Sequence, residues 1–407
     1  DLRSSQEARR LSQDRGPELF ARTGHWPSPI RFLPRLMWFQ KHRPAILAKV
    51  RWALGLGDWL NFRLTRRLTI ELSTLGETSL WDQARGAPLS DVLSRLNLPP
   101  DLLPAPVQAG TDLGPLAQPA ARALGLSPRT RVVVCGGDSP CGLLAGGGTR
   151  PGRTAVVAGT SAPVMRVVRE FKTDPQFDLS TAPHLLAQMW TLEGNSQRGG
   201  KTLDWYMANY FNPLTGQKGD RAMARFEGLI SRVEPGAGGL RAFLGPVVGR
   251  LNRFQGPLKS TLLGLPTLDY SGQGVFLLGR AVLENIALAI AGNLNNLDRL
   301  DPSGTSPVGL TGGLIRSRLF RRILAAVLNR PLKVTPFTEG SAHGALLLCQ
   351  AGLGRYAGPE EAASDLLGPP ETIDPEPDLA RRYEDIAADW LAKYEQLAAL
   401  DDPWPGE

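Results

Sequence analysis

Short apolar runs that stop at glycine-rich turns dominate the pattern of this chain. Residues 131–134 and 154–158 are rich in β-branched and other apolar side chains, and residues 308–311 form a third run. Runs of this length without alternation are typical of strands buried on both faces. The pattern therefore predicts three buried strands, each leading into a glycine turn: Gly136-Gly137, Gly159-Thr160 and Gly312-Gly313.

The rest of the pattern is mainly helical. Residues 164–168 are the exception, because this apolar run directly after the second turn predicts a hairpin partner for residues 154–158. Apolar side chains at helical spacing predict helices over residues 45–56, 202–210, 221–232, 280–297, 318–328, 341–350 and 379–397. Strands that alternate with helices in this way favour an α/β fold.

Polar side chains follow each of the three turns. Asp138 follows the first, Thr160 and Ser161 belong to the second, and Arg316 and Ser317 follow the third. In α/β sheets, ligands bind outside the carboxyl ends of the strands. Glycine at such a place lets backbone N–H groups approach a phosphate closely. Three turns with unlike polar neighbours therefore predict one ligand cleft.

Composition limits the class of protein. The 407 residues, 42% hydrophobic and 21% charged, suffice for two domains with a sizeable core. The formal net charge of +7 is spread along the chain without a long basic tract, so nucleic acid is not an expected partner. We find no signal peptide and no apolar run of about eighteen residues, which predicts a cytoplasmic protein with no membrane partner.

Cysteine and histidine show no metal-binding pattern. The three cysteines, Cys135, Cys141 and Cys349, include no Cys-x-x-Cys pair and are predicted to be buried free thiols. The four histidines lack metal-ligand spacing. We therefore predict no metal ligands among these side chains.

A series of motifs, in order along the chain, resembles one enzyme family. The motifs are DLRS at 1–4, RLMWF at 35–39, DWLNFRLT at 58–65, GGD at 136–138, GTS at 159–161, RAVLE at 280–284, GGLIRS at 312–317, GA at 344–345 and a final helix with tyrosines at 383 and 394. Together they resemble the FGGY family of carbohydrate kinases, of the xylulokinase and glycerol kinase type, over nearly the whole chain.

The resemblance implies a fold and a reaction. The fold would be α/β, with two actin-like (ribonuclease H-like) ATPase domains that flank a cleft. Residues 1–150 would belong to the sugar-binding domain and residues 151–407 to the nucleotide-binding domain with its closing helix. ATP and Mg²⁺ would be the cofactors and a sugar or polyol the substrate, a ketopentose such as xylulose being favoured. A homodimer is compatible with the family.

The resemblance also implies roles for single residues, with Asp138 as the catalytic base. A sugar hydroxyl is a poor nucleophile near neutral pH, and a carboxylate within hydrogen-bonding reach can take its proton as it attacks the γ-phosphoryl group. The implied nucleotide contacts are Gly159, Thr160, Ser161, Gly312, Gly313, Arg316 and Ser317. The implied sugar contacts are Asp1, Arg3, Gly137 and Asp138.

Several of these assignments have a structural alternative. Asp138 can cap the helix that follows it. Thr160 and Ser161 can form hydrogen bonds within their own turn, and Gly312-Gly313 can be an ordinary tight connection between strand and helix.

Other residues of the motifs favour structural roles. Arg280 and Glu284 lie one helical turn apart and are expected to pair with each other, and Trp38 is expected in the core. Asp1 and Arg3 stand at a chain end, where fraying is common.

One family feature has no counterpart in the sequence. Kinases of this type begin with a strand and a D-x-G-T turn that hold the β- and γ-phosphates, and no such turn precedes Asp138. We therefore expect the first domain to be incomplete at its N-terminus. Two other functions stay open: a catalytically impaired relative that binds sugar or nucleotide as a sensor or partner protein, and an actin-like ATPase that takes no sugar.

Overall fold

The computed structural model describes residues 2–252, 260–265 and 273–400. Helices are the commonest regular elements in this part of the chain. The α-helices are α1 (Ser5–Thr23), α2 (Phe32–His42), α3 (Pro44–Leu47), α4 (Leu56–Thr65), α5 (Leu72–Gly76), α6 (Ser90–Arg95), α7 (Gln118–Leu124), α8 (Asp138–Ala145), α9 (Gly199–Tyr206), α10 (Asn212–Thr215), α11 (Gly219–Ile230), α12 (Gln273–Leu300), α13 (Arg318–Leu328), α14 (Gly340–Gly352), α15 (Pro359–Leu366) and α16 (Pro377–Leu400).

In the part of the chain that the structure describes, the strands are short, and seven of the fifteen lie in one sheet. They are β1 (Thr69–Glu71), β2 (Trp81–Asp82), β3 (Ala87–Pro88), β4 (Ala105–Val107), β5 (Asp112–Pro115), β6 (Arg131–Val133), β7 (Thr154–Val157), β8 (Pro163–Val168), β9 (Ser180–Pro183), β10 (Trp190–Asn195), β11 (Arg241–Phe243), β12 (Thr261–Leu263), β13 (Val308–Thr311), β14 (Leu332–Val334) and β15 (Glu371–Ile373).

A seven-stranded sheet in the order β15-β14-β13-β7-β8-β10-β9 forms the centre of the second half. The three strands β14, β13 and β7 run parallel, and Leu310 of β13 lies opposite Val156 of β7. The predicted hairpin is confirmed, because β7 pairs antiparallel with β8. Since β7 and β13 are parallel neighbours, their carboxyl ends and the turns that follow lie at the same edge of the sheet.

Helix α12 is the main buried helix against this sheet, and every residue from Leu278 to Leu294 is buried. By length and composition α12 could cross a membrane, but 78% of its apolar window is buried inside the protein, as in a core helix. The expected pair is confirmed within it: Arg280 Nε donates to Glu284 Oε1 at 2.8 Å, and the hydroxyl of Tyr383 donates to the same oxygen at 2.8 Å.

Helix α14 packs against α8 with almost no space between the two backbones. A Cβ atom placed on Gly344 of α14 would lie 1.9 Å from the carbonyl oxygen of Cys141 in α8. At the C-terminal end of α14, a Cβ on Gly352 would lie 2.1 Å from the carbonyl oxygen of Gly110. The two glycines therefore let α14 approach both α8 and the segment before β5.

Two expectations for the first half of the chain are wrong. Strand β6 is not buried on both faces: Arg131 is exposed and Val133 half-buried, because β6 pairs with β5 in a two-stranded sheet rather than inside a larger one. A helix over 45–56 does not form beyond α3. Instead, the N–H of Ala53 donates to the carbonyl of Leu102 at 2.8 Å, so contact with another segment replaces the helical hydrogen bonds.

The described part of residues 1–150 has its own apolar core, which includes Leu19, Leu33 and Leu93. Its strands form two-stranded sheets, and the seven-stranded sheet begins at Thr154. A boundary near residue 150 stays a prediction.

Candidate active site

Two adjacent turns at the edge of the seven-stranded sheet form the floor of the first cavity. Two backbone hydrogen bonds join the turn after β7 to the turn after β13, past the ends of the strands. The N–H of Ala158 donates to the carbonyl of Thr311 at 2.7 Å, and the N–H of Leu314 donates to the carbonyl of Ala158 at 2.9 Å. The parallel strands thus hold both glycine turns side by side.

The cavity above these turns, which we call the nucleotide cleft, has a volume of about 700 Å³. Its lining includes all seven residues predicted to contact nucleotide, and also Asp138. Further lining residues come from α9 and α11 and from the start of α14. The structure therefore brings the three turns to one cleft, as expected from the sequence.

The two glycines of the third turn differ in what they do. Gly312 has φ +101°, and a Cβ atom there would lie 2.6 Å from the carbonyl oxygen of Ala158, so glycine is required for the approach to the neighbouring strand. A Cβ atom on Gly313 would meet nothing within 4 Å, and Gly313 is exposed at the cleft. Only the second glycine therefore leaves space on the ligand side.

Ser317 lines the cleft, but its hydroxyl group already has partners. It donates to Glu227 Oε1 and accepts a hydrogen bond of 3.0 Å from the N–H of Phe320, which makes Ser317 the N-cap of α13. Its hydroxyl hydrogen is therefore not available to a nucleotide in this conformation. Arg316 is exposed at the same wall.

The second turn combines a local hydrogen bond with an exposed side chain. The N–H of Gly159 donates to the carbonyl of Ser161 at 2.9 Å, and the N–H of Gly200 at the start of α9 donates to the carbonyl of Gly159 at 2.9 Å. The backbone of the turn is thus fixed from two sides. Thr160 is exposed and Ser161 half-buried, both at the cleft.

Asp138 is the first residue of α8, and its carboxylate is exposed. Gly137 is the N-cap residue, so Asp138 does not have the position of a capping side chain; its Oδ1 accepts only from the next N–H, that of Ser139, at 2.8 Å. The carbonyl of Asp138 accepts a hydrogen bond of 2.8 Å from the hydroxyl of Ser341 on α14. The first turns of two packed helices thus fix the main chain of Asp138 and leave its carboxylate toward the cavities.

The first glycine of the Gly136-Gly137 pair serves packing rather than substrate access. A Cβ atom on Gly136 would lie 2.1 Å from a methyl carbon of Leu185, whereas one on Gly137 would make only ordinary contact with Pro140. Only Gly137, which is exposed, faces open space.

A second cavity of about 610 Å³ lies on the other side of Asp138. We call it the sugar-side cavity. Gly137, Asp138 and Ser139 line it together with residues from the loop after α1, from β9 and β10, and from the loop before residue 252. Asp138 and Ser139 line both cavities, so the carboxylate stands where the two meet.

The described lining of the sugar-side cavity carries more negative than positive side chains. Its four carboxylates belong to Glu77, Asp138, Asp178 and Glu193, and its two guanidinium groups to Arg31 and Arg250. Burial raises the pKa of Glu193, although the amide of Asn195 donates to its Oε1 at 2.9 Å. Burial likewise raises the pKa of Asp178.

His25 is a buried histidine in the wall of this cavity, 1% exposed. Arg31 Nη2 lies 3.1 Å from His25 Nδ1. Because arginine has no acceptor, Nδ1 must accept and Nε2 must carry the hydrogen. Burial, and then the charge of Arg31, lower the pKa of His25 well below its usual value, so the ring is neutral. Its Nε2–H group has no hydrogen-bond partner among the described residues, and Nε2 lies 3.5 Å from Glu77 Oε1.

Arg3, one of the predicted sugar contacts, does not line this cavity in the structure. The guanidinium group of Arg3 lies over the ring of Trp38, 4.6 Å from its centroid, and Arg3 is not among the lining residues, although Leu2 is. Trp38 itself is half-buried rather than in the core. Asp1 lies outside the described residues.

Sequence reasoning missed His25, Arg31 and Glu193 of the sugar-side cavity. Each comes from a different segment, and no short motif joins them. The available signals were weak: His25 follows Gly24, which ends α1 with φ +72°, and Glu193 is the one charged side chain of strand β10.

The described residues contain no group of three or more His, Cys, Asp or Glu side chains that could hold a metal ion alone. Mg²⁺ is usually bound through one or two carboxylates and the phosphate oxygens of a substrate. The nucleotide cleft has carboxylates of that kind, with Asp138, Asp204 and Asp220 in its lining. These side chains fit a magnesium ion that arrives with a nucleotide.

The chain matches the models of two domains of one family. They are the N-terminal domain of the FGGY family of carbohydrate kinases over residues 1–145 and the C-terminal domain over residues 154–353. An autoinducer-2 kinase of Escherichia coli (strain K12) is 28% identical over 393 residues, which are 95% of this chain and 72% of that kinase. The autoinducer-2 kinase of Salmonella typhimurium (strain LT2) is 28% identical over 373 residues, 91% of this chain and 70% of that kinase.

Solved structures show the same architecture. The xylulose kinase from Rhodospirillum rubrum superposes with a TM-score of 0.82 at 26% identity, over 97% of this chain and 78% of that one. The ligand-bound xylulose kinase from Lactobacillus acidophilus gives a TM-score of 0.84 at 18% identity, over 98% and 79%. The Plasmodium falciparum glycerol kinase with ADP gives 0.80 at 15% identity, over 98% and 78%.

The fold is that of a two-domain sugar kinase with the actin-like (ribonuclease H-like) architecture, as expected from the sequence. The chain belongs to the FGGY family of carbohydrate kinases. It is therefore a phosphotransferase of the class that uses ATP to phosphorylate a sugar or polyol.

Proposed function

We propose that this kinase phosphorylates a hydroxyl group of a neutral sugar or polyol, with a ketopentose favoured, and that Asp138 is the general base. The observation that carries the proposal is the position of Asp138 at the junction of two cavities. A base that takes a proton from one substrate while that substrate attacks another must face both. Asp138 is the one described carboxylate shared by the two linings.

In the proposed step, Asp138 accepts the proton of the attacking hydroxyl. The hydroxyl oxygen then forms a bond to the γ-phosphorus of ATP, the bond from that phosphorus to the β–γ bridging oxygen breaks, and ADP leaves with the bond electrons. The carboxylate of Asp138 is exposed, so a hydroxyl group in the cavity can reach it. The hydrogen bond from Ser341 keeps the main chain of this residue in place.

The nucleotide cleft would hold ATP between the two glycine turns. Backbone N–H groups of the turn at Gly159 would face the phosphates together with Thr160 and Ser161. The open space at Gly313 would accept the adenine, with Arg316 beside it. Mg²⁺, held by the carboxylates of the cleft and by phosphate oxygens, would neutralise charge on the phosphates.

The sugar-side cavity favours a neutral polyhydroxy substrate over an acidic one. Four carboxylates against two guanidinium groups would repel a substrate carboxylate. Carboxylates and a neutral histidine donor suit hydroxyl groups, because a hydroxyl both donates and accepts. We propose that residues 1–150 supply the loop with His25 and Arg31, and that residues 151–407 supply Glu193 and the nucleotide cleft.

The names of two kinds of relative favour two substrates in particular. Relatives are a xylulose kinase of known structure and autoinducer-2 kinases that match 95% of this chain. We propose a ketopentose first and autoinducer-2 as the second candidate. A panel with D-xylulose, other ketopentoses, glycerol, gluconate and autoinducer-2, assayed for ADP release with Mg²⁺, decides between them.

The test of the mechanism is Asp138→Asn, compared with the unchanged chain on the best substrate of that panel. Loss of a general base lowers kcat by about 100-fold to 10,000-fold, and sugar affinity measured by calorimetry should persist. Near-normal kcat in this variant would remove Asp138 as the base. ATP and sugar binding without turnover of any substrate, in the unchanged chain, would instead favour the sensor function.

A further inference from the structure

Two cysteine thiols lie next to each other, and one of them belongs to the segment between β6 and Asp138, the proposed base. Cys135 follows β6 and precedes Gly136, and Cys349 lies on α14. Their sulfur atoms are 3.9 Å apart, and both residues are half-buried rather than buried as expected. Cys141 on α8 is the third free thiol and is buried.

The packing around the pair keeps the two sulfur atoms close. Cys135 Sγ also lies 3.7 Å from the carbonyl oxygen of Ala345, one residue after the glycine at which α14 meets α8. Because the α14 backbone contacts those of Cys141 and Gly110 with no space for a Cβ atom, α14 cannot slide along α8 without a clash. Proximity of the thiols is therefore a property of the packed core.

The two thiols differ in acidity. The hydrogen bond between the two sulfur atoms lowers the pKa of Cys349 to about 7. The same interaction, and then burial, raise the pKa of Cys135. Thiolate is the reactive form of cysteine, so Cys349 is the nucleophile and Cys135 the partner that follows.

We propose that Cys135 and Cys349 are a redox-sensitive pair, which a peroxide converts into a disulfide that lowers the kinase turnover. The Cys349 thiolate attacks one peroxide oxygen, the O–O bond breaks, and the leaving oxygen departs as water after protonation. The resulting sulfenic acid is attacked by the sulfur of Cys135, which loses its proton, and a second water leaves. Two thiols are thus oxidised by two electrons while one peroxide is reduced to two waters.

The disulfide would act on Asp138 through the main chain. A disulfide requires about 2.05 Å between the sulfur atoms, so the pair must close from 3.9 Å. Cys135 is three residues before Asp138, and the hydroxyl of Ser341 on α14 holds the carbonyl of Asp138 at 2.8 Å. Closure therefore pulls on both supports of the base. A displacement of about 1 Å at a reacting group can cost about 100-fold in rate.

The effect on turnover rests on the proposed function, but the bond itself is detected without it. The reduced protein is treated with hydrogen peroxide, and separately with diamide, a thiol-specific oxidant. It is then alkylated, digested without reductant and analysed by peptide mass. We expect a cross-linked peptide pair that contains Cys135 and Cys349, and a loss of turnover of about 10-fold to 100-fold that dithiothreitol reverses. Reversal excludes methionine sulfoxide, which dithiothreitol does not reduce.

Matched serine variants make the test specific. Cys349→Ser should keep its turnover in peroxide, whereas Cys141→Ser, on the same packed helix pair, should still form the bond and lose turnover. No cross-link, a cross-link through Cys141, or a 135–349 cross-link with unchanged turnover would overturn the proposal. If the reduced protein phosphorylates nothing, the proposed function fails, while peptide mapping still decides whether the pair forms.

Discussion

Gly313 presents bare backbone to the nucleotide cleft, and this makes it a sensitive place for substitution. A side chain there would enter the open space that we assign to adenine. Binding pockets discriminate one methylene group by about 10-fold or more. We therefore expect Gly313→Val to raise the KM for ATP by about 10-fold or more, with the affinity for sugar unchanged.

The control for this substitution is Gly57→Val on α4. Gly57 also faces open space, but it lies outside both cavities. Steady-state kinetics with each substrate varied, together with calorimetry of sugar binding, separate the two effects. Equal losses for ATP and sugar in Gly313→Val would point to misfolding and remove the adenine assignment.

His25 is expected to act on the sugar alone. Its Nε2–H group is buried at the cavity wall with no hydrogen-bond partner in the described part of the chain, and Arg31 fixes the tautomer. The group is therefore free to donate a hydrogen bond to a sugar hydroxyl. Loss of such a bond costs about 1.4 kcal/mol, which is about tenfold in affinity. His25→Ala should therefore raise the KM for sugar about tenfold and leave the KM for ATP unchanged.

The exposed His42 on α2 supplies the matched control, because it lies outside the described lining of both cavities. His42→Ala should change neither KM. Since the pKa of His25 is lowered, sugar affinity should also show no titration of His25 between about pH 6 and 8. A titration in that range that disappears in His25→Ala would contradict the neutral ring.

The two sides of the site differ in how far the sequence could predict them. The lining of the nucleotide cleft could be predicted because each expected nucleotide contact belongs to a contiguous glycine turn after a strand. Parallel strands bring such turns together. The sugar side depends on single residues such as His25, Glu193 and Arg250. Their meeting is determined by how separate segments pack, and no spacing along the chain encodes it. The partner of Ser317, Glu227 on α11, is hidden for the same reason.

At the scale of elements, the contact between α8 and α14 supports Asp138, the proposed base. Gly344 leaves no space for a Cβ atom, because the Cys141 carbonyl would be 1.9 Å away. Overpacking of such a contact costs about 1–3 kcal/mol. We expect Gly344→Ala to lower the free energy of unfolding by about this amount and to reduce kcat, because α8 begins with Asp138.

Gly228 on α11 is the matched control, because the same change from glycine to alanine should stabilise the protein there. It is exposed in a helix interior, and a Cβ atom there would meet nothing within 4 Å. Gly228→Ala should therefore raise the free energy of unfolding by about 0.5–1 kcal/mol. Urea unfolding of both variants tests the pair, and a Gly344→Ala protein as stable as Gly228→Ala would show that α14 can move away from α8.

The errors at this scale have a common physical cause. The periodicity of residues 45–56 allowed a helix, but the hydrogen bond between Ala53 and Leu102 holds the segment in another conformation. The apolar run of β6 allowed a doubly buried strand, but burial depends on how many strands pair beside it. The long helices α12 and α16 were predicted correctly because their apolar periodicity extends over many turns.

At the scale of the whole molecule, two sets of buried titratable groups oppose each other in acid. Burial lowers the pKa of His184 to about 4, and lowers that of His25 as well. Burial raises the pKa of Asp58 to about 6 and also raises that of Glu71. The histidines resist protonation in the folded state, whereas the carboxyl groups take up protons more readily than in the unfolded chain.

The sign of each contribution follows from linkage. The unfolded chain binds more protons at histidine below about pH 6.5, so the buried histidines contribute stability that is lost as the pH falls from about 6.5 toward 4. The folded chain binds more protons at Asp58 below about pH 6, so the raised carboxyl pKa adds stability as the pH falls from about 6 toward 4. Between about pH 6 and 4 the two trends partly cancel.

Substitution of a buried histidine or of a buried carboxyl group should therefore change how stability depends on pH, with opposite signs for the two kinds of group. His184→Asn keeps an acceptor for the N–H of Leu186, which now donates to His184 Nδ1 at 3.0 Å. Relative to the unchanged chain, this variant should gain stability as the pH falls from 6.5 to 4.5. Asp58→Asn keeps an acceptor for the N–H of Glu71 and should show the opposite sign, with its stability relative to the unchanged chain falling over the same range. Urea unfolding at several pH values measures both slopes. If the free energy of unfolding of both variants depends on pH as it does in the unchanged chain, neither group has a different pKa in the folded state. The pH dependence of stability in acid would then arise from other groups.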